Sequence, residues 1–136
     1  MTSRPTDVVA VATAAFESLR HGLATGDWAR WFDVLADDVV IIFPQGRFKG
    51  RHHGKARAVE FFTMVRTVYR DGLFVDEVES VTSNASTVVF LFRDHGRMYL
   101  GDDGRDYQNR VAIALDVRDG QVSQYREYFG ADGTWS

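Results

Sequence analysis

From Leu73 to Phe129 the chain reads as four consecutive strands with only turn-forming links between them. LFVDEVESVTS, STVVFLFRDHGRMYL, DYQNRVAIALDVR and QVSQYREYF are rich in β-branched and aromatic residues. The links SNAS, GDDGR and RDG carry the turn chemistry of antiparallel hairpins. Nearly half the chain is therefore committed to one antiparallel sheet, and something must cover its apolar surface.

The residues upstream supply that cover. Val9, Ala12, Phe16, Leu19 and Leu23 recur at helical spacing between about Asp7 and Thr25, and Gly26 stops the helix. DWARWFDVLA reads as a second, short helix turning Trp28, Trp31, Phe32 and Leu35 toward the same core. Asp37-Asp38 mark a turn, and VVIIF (Val39 to Phe43), ended by Pro44, reads as a buried strand. QGRFKGRHHG holds three glycines and reads as a tight hairpin or irregular link. A third helix spans about Lys55 to Tyr69, with Ala58, Phe61, Phe62, Val65 and Val68 on its inner stripe. The order helix–helix–strand–helix–four strands is an α+β pattern, three helices packed on one face of an antiparallel sheet, and 136 residues fit one such domain.

Strand alternation sorts the side chains into faces. Val88, Phe90, Phe92 and Asp94 share one face, and Val89, Leu91, Arg93 and His95 the other, unless a bulge near Gly96 reverses the end of the strand. Asn109, Val111, Ile113 and Leu115 form one face of the next strand, and Tyr125, Glu127 and Phe129 one face of the last. Because the strands are apolar on both sides, both faces of the sheet are expected to be covered. Helices take one; a second subunit takes the other, giving a homodimer through residues such as Val89, Leu91, Ala112 and Ala114.

Composition narrows the partners. The net charge is −3 with both signs interspersed, which leaves no footprint for nucleic acid. The apolar N-terminal stretch is interrupted by Asp7 and Thr13 and reads as an amphipathic helix, not a signal peptide; no run is long enough to span a bilayer. A cytoplasmic protein without membrane contact is expected. With no cysteine, disulfides and thiolate metal sites are unavailable. His52-His53 lacks a third ligand at fixed spacing and is read as a solvated loop pair, so no metal and no cofactor is expected.

The passage GDWARWFDVLADDVVIIFPQG and the closing hairpin DVRDGQVSQYREYFG resemble the nuclear transport factor 2-like superfamily, and the resemblance runs from about Val8 to Phe129. It implies a curved sheet and helices enclosing a conical pocket, the nuclear transport factor 2-like or cystatin-like fold. The superfamily includes SnoaL-type polyketide cyclases, ketosteroid isomerases, limonene-epoxide hydrolases, scytalone dehydratases and non-catalytic ligand-binding or association domains. The ketosteroid isomerase dyad is missing, because Leu19 stands where that group has its tyrosine and Phe43 where it has its base. The epoxide hydrolase pattern is half present. Glu127 in YREYF matches its closing-strand carboxylate and Arg93-Asp94-His95 lies near its second motif, but Ile41 and Phe43 replace the residues that hold its water.

Glu127, between two aromatic residues on an inward face, is the first candidate for general acid/base work, since burial there raises a carboxyl pKa. Asp94 is a second candidate carboxyl, and His95 a candidate partner because histidine titrates near neutrality. Asn109 and Arg93 are candidate substrate contacts, with Phe43, Phe90, Phe92, Val111, Tyr125 and Phe129 as apolar wall. Two readings follow. One is a SnoaL-like, cofactor-free enzyme performing cyclisation, isomerisation, dehydration or epoxide opening on a hydrophobic or polycyclic small molecule, an isomerase, lyase or hydrolase. The other is a non-catalytic domain that binds a hydrophobic ligand or mediates dimeric association.

Overall fold

The computed structural model describes residues 5–130. Helix α1 (Pro5–Thr25) and the short α2 (Ala29–Val34) lead into strands β1 (Leu35–Phe43) and β2 (Gly50–His53). Helix α3 (Lys55–Val68) follows, then β3 (Leu73–Ser83), β4 (Thr87–Leu100), β5 (Asp103–Arg118) and β6 (Gln121–Phe129). The six strands form one curved, unclosed sheet in the order β2-β1-β6-β5-β4-β3. This is the α+β arrangement, helices on one face of the sheet, that the sequence implied. No helix among the described residues is long and apolar enough to cross a membrane.

Local chemistry accounts for the hairpins. The β5–β6 turn holds Asp119 at φ 54° and Gly120 at φ 75°, the two left-handed residues of a tight hairpin turn. At the β3–β4 turn Asn84 Oδ1 accepts hydrogen bonds from the backbone N–H groups of Ser86 (3.0 Å) and Thr87 (2.9 Å).

The helices are fixed by rings. Val8, Ala12, Ala15, Phe16, Leu19 and Leu23 form the buried stripe of α1. Phe16 stacks on Phe90 at 4.3 Å and meets Phe92 edge-on at 5.3 Å. Trp31, with no exposure, packs edge-to-face against Phe62 of α3 and Tyr125 of β6. Burying a ring such as Phe62 contributes roughly 2 kcal/mol. Gly22 is needed where α1 meets Trp28, because a Cβ there would lie 2.2 Å from the indole.

Three sequence expectations are corrected. Asp37-Asp38 is not a turn. The strand begins at Leu35, directly after α2, and a register shift against β6 between Leu35 and Val40 leaves both aspartates exposed within it. The glycine-rich segment takes the hairpin alternative, ending in β2, which pairs antiparallel with β1 from Phe43↔Gly50 to Val40↔His53; what is corrected is the loop placement of its two histidines. His52-His53 therefore lies in a strand, with His52 half-buried against the Phe48 carbonyl (2.8 Å) and His53 exposed. Thirdly, the sheet is not wholly antiparallel, since β1 runs parallel to β6. That pairing joins elements far apart in the chain and has no local sequence signal.

Candidate functional site

The helices and the inner face of the sheet enclose a cavity of about 430 Å³ that is partly open to solvent. Sheet register decides what enters it. Phe92 and Asp94 of β4 pair with Val111 and Asn109 of β5, and Val111 in turn pairs with Phe129 of β6. Glu127 lies opposite Ile113. Period-two alternation then brings Asp94, Asn109, Tyr125 and Glu127 onto one wall, among Phe43, Phe92, Val111 and Phe129. The opposite wall comes from α3, through Phe61, Phe62, Val65 and Val68.

Two carboxyl groups share this apolar space. Asp94 is 5% exposed and its Oδ1 has no hydrogen-bond partner among the described residues. Desolvation, reinforced by the nearby charge of Glu127, pushes its pKa up to about 8. Glu127 keeps partial access by area because it lines the cavity, yet the protein packed around its carboxyl dominates. Burial pushes its pKa up to about 7, and a hydrogen bond from the Tyr125 hydroxyl to Oε1 only partly opposes that rise. Tyr125 is held between Trp31, Phe43 and Phe62, so its hydroxyl is aimed by packing. Its own pKa is pushed well up by burial, so it remains a donor.

Asn109, 1% exposed, serves the wall as well as facing the cavity. Its Nδ2 donates to the Tyr107 hydroxyl (2.9 Å), while Oδ1 accepts from the backbone N–H of Arg110 (2.9 Å) and of Gly130 (3.3 Å). Tyr107 packs edge-on against Tyr69 at 5.2 Å, and burial pushes the Tyr69 pKa up to about 12. Both phenols therefore stay protonated and line the cavity as neutral polar groups.

Three residues expected at the site stand elsewhere. His95 is on the outer face, its Nδ1 2.6 Å from Asp76 Oδ1 and its ring against Phe74. Arg93 is on the same outer face, hydrogen-bonded to Glu77 and 3.6 Å from Glu79. A bulge near Gly96 would have turned both inward. Instead β4 and β5 stay in register from Thr87↔Asp116 to Leu100↔Asp103, and the irregularities fall in the β3–β4 pairing. Phe90 is inward but covered by Phe16, so it is core and not cavity wall.

Sequence reasoning did not reach Tyr69, Met98, Arg105 and Tyr107, all of which line the cavity. The signal was present: Arg105 and Tyr107 continue the alternation of Asn109 and Val111, Met98 continues that of Asp94, and Tyr69 follows Val65 by one helical turn. Arg47 and Phe48, from the β1–β2 loop, also line the opening, and no periodicity marks a loop. Among the described residues no group of His, Cys, Asp and Glu could hold a metal ion.

Comparison with known proteins places the geometry in context. Residues 16–125 match the SnoaL-like domain. An NTF2-like (nuclear transport factor 2-like) protein from Anabaena variabilis is 44% identical, with TM-score 0.88 over 98% of this chain and 96% of that one. A protein from Xanthomonas campestris pv. campestris provisionally assigned as a polyketide cyclase is 25% identical, with TM-score 0.78 over 94% and 93%. A second Xanthomonas campestris protein, of cystatin-like fold, is 18% identical, with TM-score 0.75 over 91% of each chain, a likeness of fold alone. No functionally curated protein matches significantly. With its fold, its pocket and a match covering most of its length in agreement, this chain belongs to the SnoaL-like domain family.

Proposed function

We propose that the protein is a cofactor-free enzyme that moves a proton on a hydrophobic small molecule through an enolate-like intermediate, the route shared by aldol cyclisation, isomerisation next to a carbonyl and β-elimination of water. One observation carries this reading: two carboxyl groups with raised pKa values face the same apolar cavity, and the more buried one has an unpartnered oxygen. Carboxyls that differ in burial take different roles at neutral pH. Glu127, poised at about 7, takes a proton from carbon as general base and returns it as general acid. Asp94, protonated up to about 8, donates its O–H to the oxygen on which charge develops. The bond electrons left on carbon delocalise onto that oxygen, and the proton re-enters at a new site, so the sequence needs no oxidant or metal. Tyr125 orients Glu127, and the rings of Phe43, Phe61 and Phe129 shield the site from bulk water.

Epoxide opening fits less well, because Ile41 is buried in the core and Phe43 is an apolar wall, so neither can hold a water. The likeness to a provisionally assigned polyketide cyclase agrees in class with enolate chemistry. The test is deuterium exchange at the α-carbon of 2-tetralone, a bicyclic ketone, followed by proton NMR. Wild-type protein should accelerate exchange, and Glu127→Gln should not. Equal rates with and without protein would refute the reading in favour of a ligand-binding domain.

We also propose a homodimer through the outer sheet face. Val89, Leu91 and Ala112 remain partly exposed there beside Tyr128, which is 50% exposed. Register places Leu91 opposite Ala112 and Ala112 opposite Tyr128, so the apolar strip is continuous across three strands.

A further inference from the structure

The cavity is chemically polarised along its depth. Its acidic groups, Asp94 and Glu127, lie on the inner wall, whereas the basic groups lining it are Arg47 and Arg105, both exposed residues of the opening. Arg47 comes from the β1–β2 loop and Arg105 from the start of β5, so they reach the opening from two separate elements. Neither guanidinium lies within 4.0 Å of a carboxylate among the described residues. Arg47 sits over the Phe48 ring at 5.6 Å, and Arg105 makes a 4.0 Å contact to the Met98 sulfur and interacts electrostatically with Tyr69. Arg57, Arg93, Arg97, Arg110, Arg118 and Arg126 each have a carboxylate partner; Arg66 and Arg70 donate to the Tyr69 and Gly101 carbonyls, and neither lines the cavity.

We infer that the substrate is a hydrophobic carboxylic acid, bound with its carboxylate at Arg47 and Arg105 and its reacting carbonyl inward at Asp94 and Glu127. This rests on the proposed function and deepens it. Guanidinium groups bind carboxylates through paired, charge-assisted hydrogen bonds. The ring body of such a molecule would lie against Phe43, Phe61 and Val65. The opposite orientation would bring a carboxylate against the buried carboxyls, where like charge and desolvation both oppose it. The two arginines thus select the end that enters first. They are specificity-determining residues, remote from the proton transfer.

The inference is tested by calorimetric titration with 2-naphthoate and its neutral counterpart methyl 2-naphthoate. At pH 6 the inner carboxyls are largely protonated while 2-naphthoate is ionised. The wild-type protein should bind 2-naphthoate about tenfold more tightly than the ester, the scale of a charge-assisted contact that stays partly solvated. The preference should shrink in Arg47→Gln and in Arg105→Gln and vanish in the double variant, with ester affinity unchanged. Raising salt should weaken the naphthoate complex of the wild-type protein and leave the ester complex alone, a readout independent of any variant. Equal wild-type affinities, or a preference that survives in the folded double variant, would overturn the inference and leave the pocket reading intact. Failure of both compounds to bind would overturn the two together.

Discussion

The Tyr125 hydroxyl donates a hydrogen bond to Glu127 Oε1, two residues along the same strand. A regular strand puts residues two apart on the same face, and here one is sealed among rings while the other looks into the cavity. The buried phenol favours the ionised carboxylate while its surroundings disfavour it, which leaves Glu127 near neutrality and not far above it.

Replacing Glu127 by Gln keeps the shape and removes the ionisation. Turnover should fall by about 10²–10⁴-fold, the usual range for a general acid/base. The variant should melt no lower than wild type at pH 8, because the folded state no longer holds a desolvated charge. A marked fall in melting temperature with activity retained would remove Glu127 from catalysis.

Asp94 makes stability depend on pH. Its pKa rises from an ordinary 3.8 to about 8 on folding, so the folded state binds the proton more tightly. Stability from this group is full below about 4 and declines as pH rises toward about 8. Asp94→Asn should therefore flatten the melting-temperature profile between pH 5 and 8 and gain most over wild type at the alkaline end. Thermal melts across that range measure it, and parallel curves would contradict the assignment.

In the proposed mechanism the two groups together set the pH dependence of catalysis. Activity needs Glu127 ionised and Asp94 protonated, so kcat/KM should follow a narrow bell with apparent limbs near 7 and 8. Asp94→Asn should remove the alkaline limb while keeping the acid one. A profile flat from pH 6 to 9 would exclude this division of roles.

Light scattering should return a mass twice 15.4 kDa at micromolar concentration. Leu91→Arg introduces a charge opposite Ala112 and should yield monomers that still bind ligand. A wild-type monomer would refute the outer-face interface.

Gly22→Ala should destabilise the fold by about 1–3 kcal/mol, since the added methyl would overlap the buried Trp28 indole. Urea unfolding followed by tryptophan fluorescence gives the value, and an unchanged midpoint would show that Trp28 can yield.

The hairpin half was the more legible part, because period-two alternation and turn residues are local signals. Asp94 and Phe92 could be assigned to one face from spacing alone, as could Tyr125, Glu127 and Phe129. His95 could not, because a single bulge inverts a face, and whether one forms depends on β5 pairing. Strand β2 was hidden for a related reason. Gly50 and Arg51 become strand only by pairing with Phe43 and Ile42. The rim arginines were obscured twice over, one in a loop and one where β5 begins inside the turn signal GDDGR, at Asp103.

The parallel seam between β1 and β6 also bears on the order in which the molecule is made. Gln45 Nε2 donates to the Phe129 carbonyl at 2.8 Å across 84 residues of chain, and Ile41 pairs with Tyr125 along the same seam. Contacts of such sequence separation are slow to form. Glu127 lies on the strand that makes them, so it joins the wall that carries Asp94 only when β6 closes against both β1 and β5. The acid pair comes into existence only with the last strand, and until then the cavity is an open apolar trough.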